Sequence, residues 1–203
     1  MRLDLYQIAH SLKEKLPIIW TVTEKINECL FLMRYGRTLN KIEREHTVET
    51  FLYKRLGRND CDTLVQFFAE QPSEAFEFFH PHGFKKKDVD RILGNASFLA
   101  FGVFDGNKII GYCFLRSFFM GKSYFGKIVD YRYRGKGIAK NMSLEAVSVA
   151  AKLGVHMYGS ISKDNKSSLY SAKSVLDIKI IKELPNNYML VEELPKGTLK
   201  NDN

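Results

Sequence analysis

A glycine-rich turn between an apolar strand and an amphipathic helix constrains the fold of this chain most strongly. The segment Asp130–Ala139 contains Gly135 and Gly137 and follows the short apolar run 127–129. The segment 142–153 has apolar residues at helical spacing, which predicts a helix after the turn. A helix start exposes backbone N–H groups and the positive end of the helix dipole. A strand, a glycine turn and a helix in this order therefore predict a phosphate-binding site.

The charge of the turn supports this interpretation. Arg132, Arg134 and Lys136 are basic, and the two glycines let a phosphate approach the backbone closely. Neither common nucleotide-binding loop fits the sequence. The pattern G-x-G-x-x-G requires a third glycine where this chain has Lys140, and the P-loop pattern is absent. An ordinary basic helix start is the alternative interpretation.

The pattern Arg132-x-x-Gly135-x-Gly137 resembles the R/Q-x-x-G-x-G/A signature of the GCN5-related N-acetyltransferases (GNAT). The predicted hairpin 104–112 and the predicted helix 165–177 resemble two other parts of that family, in the same order. From residue 50 onward the predicted order is a strand, two helices, antiparallel strands, the glycine turn with its helix, a strand, a helix and a strand pair. The resemblance implies an α+β acyl-CoA N-acyltransferase fold, with a mostly antiparallel twisted sheet flanked by helices.

Three segments are expected along the chain. Residues 1–48 form an N-terminal helical extension, residues 49–195 the acetyltransferase domain, and residues 196–203 a polar tail. The extension is predicted to hold one helix that ends at Pro17 and a second that begins near Thr21 and ends at Gly36. Packing of these helices on their own chain is the first expectation. Contact with a membrane surface, a partner protein or a second copy in a homodimer stays open.

Composition and charge narrow the class of protein. The chain has 203 residues, of which 45% are hydrophobic and 27% charged, as in ordinary soluble domains. Its net charge of +8 favours an anionic ligand, and coenzyme A is a polyanion. No zinc-finger or RNP pattern is present, so we expect neither nucleic acid nor a metal. Three cysteines without metal or redox spacing, and no signal-peptide pattern, predict a cytoplasmic protein.

The resemblance implies acetyl-CoA as the acyl donor and assigns residues to it. The backbone of Ile128 and Val129 is expected to pair with the pantetheine arm, and Asn165 to contact the coenzyme near its thiol. The pyrophosphate is expected to lie on the turn, whose cofactor-binding residues are Arg132, Arg134, Gly135, Lys136, Gly137, Ile138 and Ala139. The reaction is direct attack of an amine on the thioester. It requires removal of a proton from the amine and delivery of one to the departing thiolate.

The sequence departs from the family at the proton donor. The family's tyrosine falls at Ala172. Ser168 or a water is the expected replacement, and Tyr170 stays a candidate although it lies about 200° away around the helix.

The strand before the turn also lacks the carboxylate that many members use as a base. His80 and His82 are the candidate bases, because imidazole titrates near neutrality. Two structural imidazoles in a loop fixed by proline are the alternative. His156 is interpreted as a structural residue of a buried strand.

The acceptor is predicted only as a class. Arg116, Tyr124 and Asp130 are candidate substrate contacts, although an aspartate in that place often only caps the turn. A small-metabolite amine, with amino sugars and nucleotide-linked amino sugars first, is the expected acceptor. Acetylation of a protein amine and a non-catalytic acyl-CoA-binding module are the alternatives.

Overall fold

The fold is built on one eight-stranded sheet, and the computed structural model describes it within residues 17–42 and 45–200. The strands are β1 (Glu45–Val48), β2 (Phe51–Arg55), β3 (Phe98–Asp105), β4 (Lys108–Phe118), β5 (Lys122–Val129), β6 (His156–Ser162), β7 (Leu176–Leu184) and β8 (Tyr188–Pro195). Their spatial order is β1-β2-β3-β4-β5-β6-β8-β7. All neighbouring strands are antiparallel except β5 and β6, which are parallel.

Helices cover both faces of this sheet. In the described part of the chain they are α1 (Pro17–Leu39), α2 (Cys61–Ala69), α3 (Lys86–Leu93), α4 (Ile138–Leu153) and α5 (Lys166–Val175). α1 and α4 share one core with the sheet, and α5 lies beside α4. α2 and α3 share a second core on the opposite side. We call the two sides the α4 face and the α2 face.

The predicted fold class is confirmed. The sheet is mostly antiparallel, helices flank it, and the elements predicted from residue 50 onward are present in the predicted order. The helix after the glycine turn begins at Ile138, one turn earlier than its apolar pattern predicts. Ile138 is buried in the α4-face core, which fixes this first turn as part of the helix.

The predicted end of the second helix at Gly36 is wrong. α1 runs without interruption from Pro17 to Leu39, and Gly36 lies inside it. Phe31 and Tyr35 are buried against the sheet, so tertiary packing holds the helix together across the glycine. Asn27 also fixes α1, since its amide donates to the Ser117 carbonyl oxygen at 3.0 Å. The helix predicted before Pro17 lies outside the described residues.

The predicted boundary at residues 48 and 49 falls inside a β-hairpin. β1 ends at Val48 and pairs with β2 as the edge of the same sheet. The extension predicted to be helical over residues 1–48 therefore contains a strand in its described part. α1 and β1 pack on the domain that follows them, as the first expectation for the extension had it. The other side of α1 exposes apolar residues, including Val22, Ile26 and Met33.

The cysteines are unpaired. Cys61 and Cys113 are buried and Cys29 is exposed, and all three carry free thiols. None of the described helices has the length and apolar character that a membrane span requires.

Candidate active site

A fork between β5 and β6 is the main irregularity of the sheet. The two strands pair only between Lys122–Phe125 and His156–Gly159. Beyond that point β5 continues along β4 and β6 continues along β8. We call this opening the fork, and the last pair, Phe125 with Gly159, its apex. The open edge of β5 over residues 126–129 is about 13 Å long at the usual rise of a strand.

The pairing of β5 with β4 shows which backbone groups face the fork. The Asp130 N–H donates to the Ile110 carbonyl oxygen at 2.9 Å, so even-numbered residues of β5 bond to β4. Ile128 lies opposite Tyr112 and directs its N–H and C=O to that strand. Lys127 and Val129 direct theirs into the fork. The prediction for Ile128 does not fit this geometry, because its backbone groups bond to β4, and Lys127 and Val129 are the residues that offer backbone groups to the fork.

The glycine turn lies at the open end of the fork. Gly135 and Gly137 have φ angles of 80° and 77°, which favour glycine, and a Cβ atom at either would meet open space. Gly137 directly precedes α4. Among the described residues, the N–H groups of 135–139 donate to no backbone or side-chain acceptor. These donors and the positive end of α4 are available to an anion.

Asp130 and Arg132 fix the turn from beneath. The Asp130 side chain is fully buried and accepts from the Arg132 backbone N–H at 2.9 Å and from its Nη2 at 2.6 Å. A second carboxylate, Glu70, accepts from the same guanidinium at 2.9 Å. These contacts lower the pKa of Asp130 to about 2, although burial opposes the shift. The Asp130 carboxylate, which is fully buried, and the Arg132 guanidinium are therefore paired with each other within the protein. The predicted roles of Asp130 in substrate binding and of Arg132 in phosphate binding stay predictions.

Three other basic side chains lie on or next to the glycine turn. Arg134 and Lys136 are exposed, and the Lys136 ammonium lies 4.7 Å from the centre of the Tyr133 ring. Lys140 lies 5.5 Å from the ring of Tyr170 on α5. The positive charges predicted for phosphate binding are thus beside the free N–H groups. Tyr170 is 72% exposed among them, a position that suits the outer part of the coenzyme better than the apex of the fork.

The start of α5 carries two of the predicted site residues, Asn165 and Ser168. Asn165 caps this helix, since its Oδ1 accepts from the Ser168 N–H at 3.0 Å. That bond leaves the Nδ2 donor of Asn165 for the coenzyme, as the prediction requires. Ser168 lies in the same first turn and is partly buried. Ala172, where the family has its tyrosine, is buried and carries no polar group.

The histidine loop lies on the α2 face over β4. Nδ1 of His82 donates to the Gly83 carbonyl oxygen at 2.8 Å, and Nε2 is 3.0 Å from the Tyr112 hydroxyl. In the neutral ring Nε2 then accepts from that hydroxyl. Aromatic rings surround the imidazole, among them Phe84 at 5.5 Å between centroids. Both ring nitrogens of His82 are thus engaged, whereas His80 is exposed.

The α2 face of the paired part of β5 and β6, before the apex, carries two tyrosines and a histidine. Tyr124 is 39% exposed, and its ring lies 6.0 Å from that of Tyr158 on β6. Nδ1 of His156 lies 2.7 Å from the Glu192 carboxylate, and the imidazole side chain is 67% exposed. The His156 side chain is therefore exposed, although its strand was predicted to be buried. Alternation along β6 was the available signal, because it places His156, Tyr158 and Ser160 on one face.

Arg116, the third predicted substrate contact, is paired with other groups of the protein. Its guanidinium donates to Glu24 on α1 at 3.2 Å and lies 5.6 Å from the centre of the Phe118 ring. Its charge is therefore balanced within the protein. Within residues 17–42 and 45–200, no group of three or more His, Cys, Asp or Glu side chains is placed to hold a metal ion.

Comparison with known proteins identifies the family. The model of the acetyltransferase (GNAT) family matches residues 64–172, which is more than half of the chain. The chain belongs to the GNAT family, and the protein is an N-acetyltransferase that uses acetyl-CoA. No curated protein matches the sequence.

Solved structures share the fold at low sequence identity. The GNAT domain of S. lividans PAT is 15% identical, with a TM-score of 0.64, over 74% of this chain and 97% of that one. The PaiA N-acetyltransferase of Thermoplasma acidophilum, solved with coenzyme A, is 17% identical, with a TM-score of 0.56, over 71% and 98%. The aminoglycoside acetyltransferase AAC(6')-Ib, solved with coenzyme A and kanamycin, is 12% identical, with a TM-score of 0.57, over 75% and 98%.

The residues of this chain fit the coenzyme. The turn offers unpaired N–H groups and exposed basic side chains for its phosphates. The free edge of β5 offers backbone groups at Lys127 and Val129 for its amide-containing arm. When bound, the coenzyme supplies the acetyl group as a thioester.

Proposed function

We propose that the enzyme acetylates the primary amine of a small metabolite, with amino sugars and nucleotide-linked amino sugars as the first class. The observation that carries this proposal is the pair of partly exposed tyrosines, Tyr124 and Tyr158, on the α2 face next to the apex. Aromatic rings stack on the apolar face of a sugar, and their hydroxyls offer polar contacts at its edge. The net charge of +8 favours an acceptor that carries phosphate.

The proposed complex uses the two faces of the fork differently. The phosphates of acetyl-CoA bind at the turn of 134–139, and its arm follows the edge of β5 to the apex. The amine approaches from the α2 face, beside Tyr124 and Tyr158. Holding the amine against the thioester carbonyl supplies much of the rate enhancement, because it replaces a bimolecular encounter with a positioned one.

His156 is the proposed base of this reaction. An exposed imidazole oriented by a buried carboxylate can accept a proton from the ammonium form of the acceptor. His82 is the less favoured base, because its two nitrogens bond to Gly83 and Tyr112. His80, the third candidate, is exposed in the same loop as His82.

The first experiment identifies the acceptor. Calorimetry measures binding of acetyl-CoA, and release of free thiol is then followed with amino sugars, nucleotide-linked amino sugars, polyamines and peptides. Thiol release specific to the amino sugars supports the proposal. Release with peptides alone would assign the enzyme to protein amines instead.

A second experiment tests the base. His156→Asn is expected to lower kcat by about 100-fold or more, the usual contribution of a general base, with unchanged affinity for coenzyme A. His82→Asn is the comparison and is expected to lower stability more than kcat, because it disturbs the bond to Tyr112. If His82→Asn reduces kcat in a folded protein and His156→Asn does not, the loop histidine is the base.

A further inference from the structure

A buried carboxylate lies at the apex of the fork on the α4 face. Glu193 of β8 is only 4% exposed. Its Oε1 lies so close to Gly159 that a Cβ atom there would collide with it. Gly159 is the apex residue of β6, so the carboxyl group lies directly against the point where the strands separate. Its Oε2 is buried and accepts no hydrogen bond among the described residues.

A lysine from the edge of the fork reaches the same region. The Lys127 side chain extends to the α4 face, where its ammonium donates to the Ala139 carbonyl oxygen at 3.1 Å. It also bonds to the hydroxyls of Ser143 on α4 and Ser171 on α5. Ser171 directly precedes Ala172. The Lys127 ammonium and the two serine hydroxyls therefore lie near the position where the family has its tyrosine.

Burial and the nearby positive charge shift the pKa of the Glu193 carboxyl group in opposite directions. Burial raises the pKa of Glu193 to about 7, and the nearby Lys127 ammonium limits that rise. Burial lowers the pKa of Lys127, while Glu193 and the Cys113 thiol of β4 oppose this shift. α4 and α5 contribute the uncharged hydroxyls of Ser143 and Ser171. The carboxyl group is therefore protonated in a large fraction of molecules near neutral pH.

The acetyl transfer needs a proton donor at this place. When the acetyl group leaves, the thiolate is at the end of the coenzyme arm. An ordinary thiol such as that of cysteine has a pKa of about 8.5, so the protonated thiol is the more stable product at neutral pH. Tyr170 is exposed at the mouth of the site, and Ala172 has no proton to give. A carboxyl group with an unpartnered oxygen at the apex fits the need.

We propose that Glu193 is the catalytic residue that protonates the departing coenzyme thiolate. Lys127 is a positioning residue, whose ammonium group influences how much of Glu193 is protonated. This inference rests on the proposed placement of the thioester at the apex. The amine nitrogen forms a bond to the acetyl carbon, and the carbon–sulfur bond breaks with its electron pair on sulfur. The Glu193 proton then moves to sulfur. His156 or solvent takes the protons of the amine, and solvent reprotonates Glu193.

Infrared difference spectroscopy tests the donor without an acceptor. The free protein near pH 6 is expected to show the C=O band of a protonated carboxylic acid, which Glu193→Gln removes. Addition of coenzyme A should shift this band in the wild-type protein, because the thiol comes into contact with the carboxyl group. Glu183→Gln is the matched control, since Glu183 is 63% exposed and pairs with Lys163 at the surface. A missing band, or a band that coenzyme A leaves unchanged, would overturn the proposal.

The pH dependence of kcat supplies the second readout. Because the protonated form is the donor, kcat should fall as pH rises through about 7, the pKa of Glu193. Glu193→Gln should lower kcat by about 100-fold and abolish this dependence. Lys127→Met removes a positive charge and should move the fall to higher pH, a change that loss of packing alone would not produce. An unchanged profile in Glu193→Gln would exclude it as the donor. If no acceptor is found, the infrared result still decides the matter.

Discussion

Asp130 is expected to stabilise the fold through the glycine turn, which is the proposed binding site for the coenzyme phosphates. Its pKa is about 2 in the folded protein, against an ordinary value of 3.8. At 1.36 kcal/mol for each pKa unit, this difference contributes about 2 kcal/mol to the free energy of unfolding at pH 7. Asp130→Asn keeps the size of the side chain and removes the charge. The variant should therefore lose about 2 kcal/mol of stability at that pH.

The pH dependence of this loss gives the sharper test. A group whose pKa is lowered by folding stabilises the protein above its unfolded pKa and ceases to do so as pH falls through the folded value. The contribution of Asp130 should be nearly complete at pH 5 and reduced to about half at pH 3. The difference between wild type and Asp130→Asn should shrink accordingly.

Urea unfolding followed by circular dichroism measures both quantities. Asp105→Asn is the matched control, because Asp105 is exposed and its carboxylate accepts from the Tyr133 hydroxyl at 2.9 Å. The control should change stability by less than about 0.5 kcal/mol. A loss of the same small size in Asp130→Asn at pH 7, or one that does not vary between pH 7 and pH 3, would refute the reasoning.

Two further predictions concern the glycines and the thiols. Gly137→Ala should cost about 1 to 2 kcal/mol and weaken coenzyme A binding, because Gly137 has a φ angle of 77° at the start of α4. Gly36→Ala, inside α1 with open space around its Cβ position, should instead raise the free energy of unfolding by about 0.5 to 1 kcal/mol. Urea unfolding measures the stability of both variants, and calorimetry measures their affinity for coenzyme A. Equal changes in the two variants would contradict the reasoning. Cys29 is the exposed thiol and should react first with a thiol reagent in the native protein, whereas the two buried thiols should react only on unfolding. If all three thiols reacted with the reagent at the same rate in the native protein, the burial of Cys113 on β4 and Cys61 on α2 would be contradicted.

The order of elements could be predicted from the sequence because its signals are local. The glycine turn, the hairpin at Asp105 and the cap at Asn165 each depend on residues close together in the chain. Such signals also pointed to the turn whose N–H groups have no acceptor among the described residues. They failed at Gly36, where burial of Phe31 and Tyr35 in the core outweighs the preference of glycine for a helix end.

The chemistry of individual site residues depended on contacts between distant segments. Sequence alone determined that a strand, a glycine turn and a helix occur in order, and that the turn is basic. Only the tertiary structure decided that Glu70 and Asp130 hold Arg132, that Tyr112 engages His82, and that Glu193 lies against Gly159. The physical reason is that periodicity gives the face on which a side chain lies. Strand order and register decide which side chains from elsewhere in the chain it meets there.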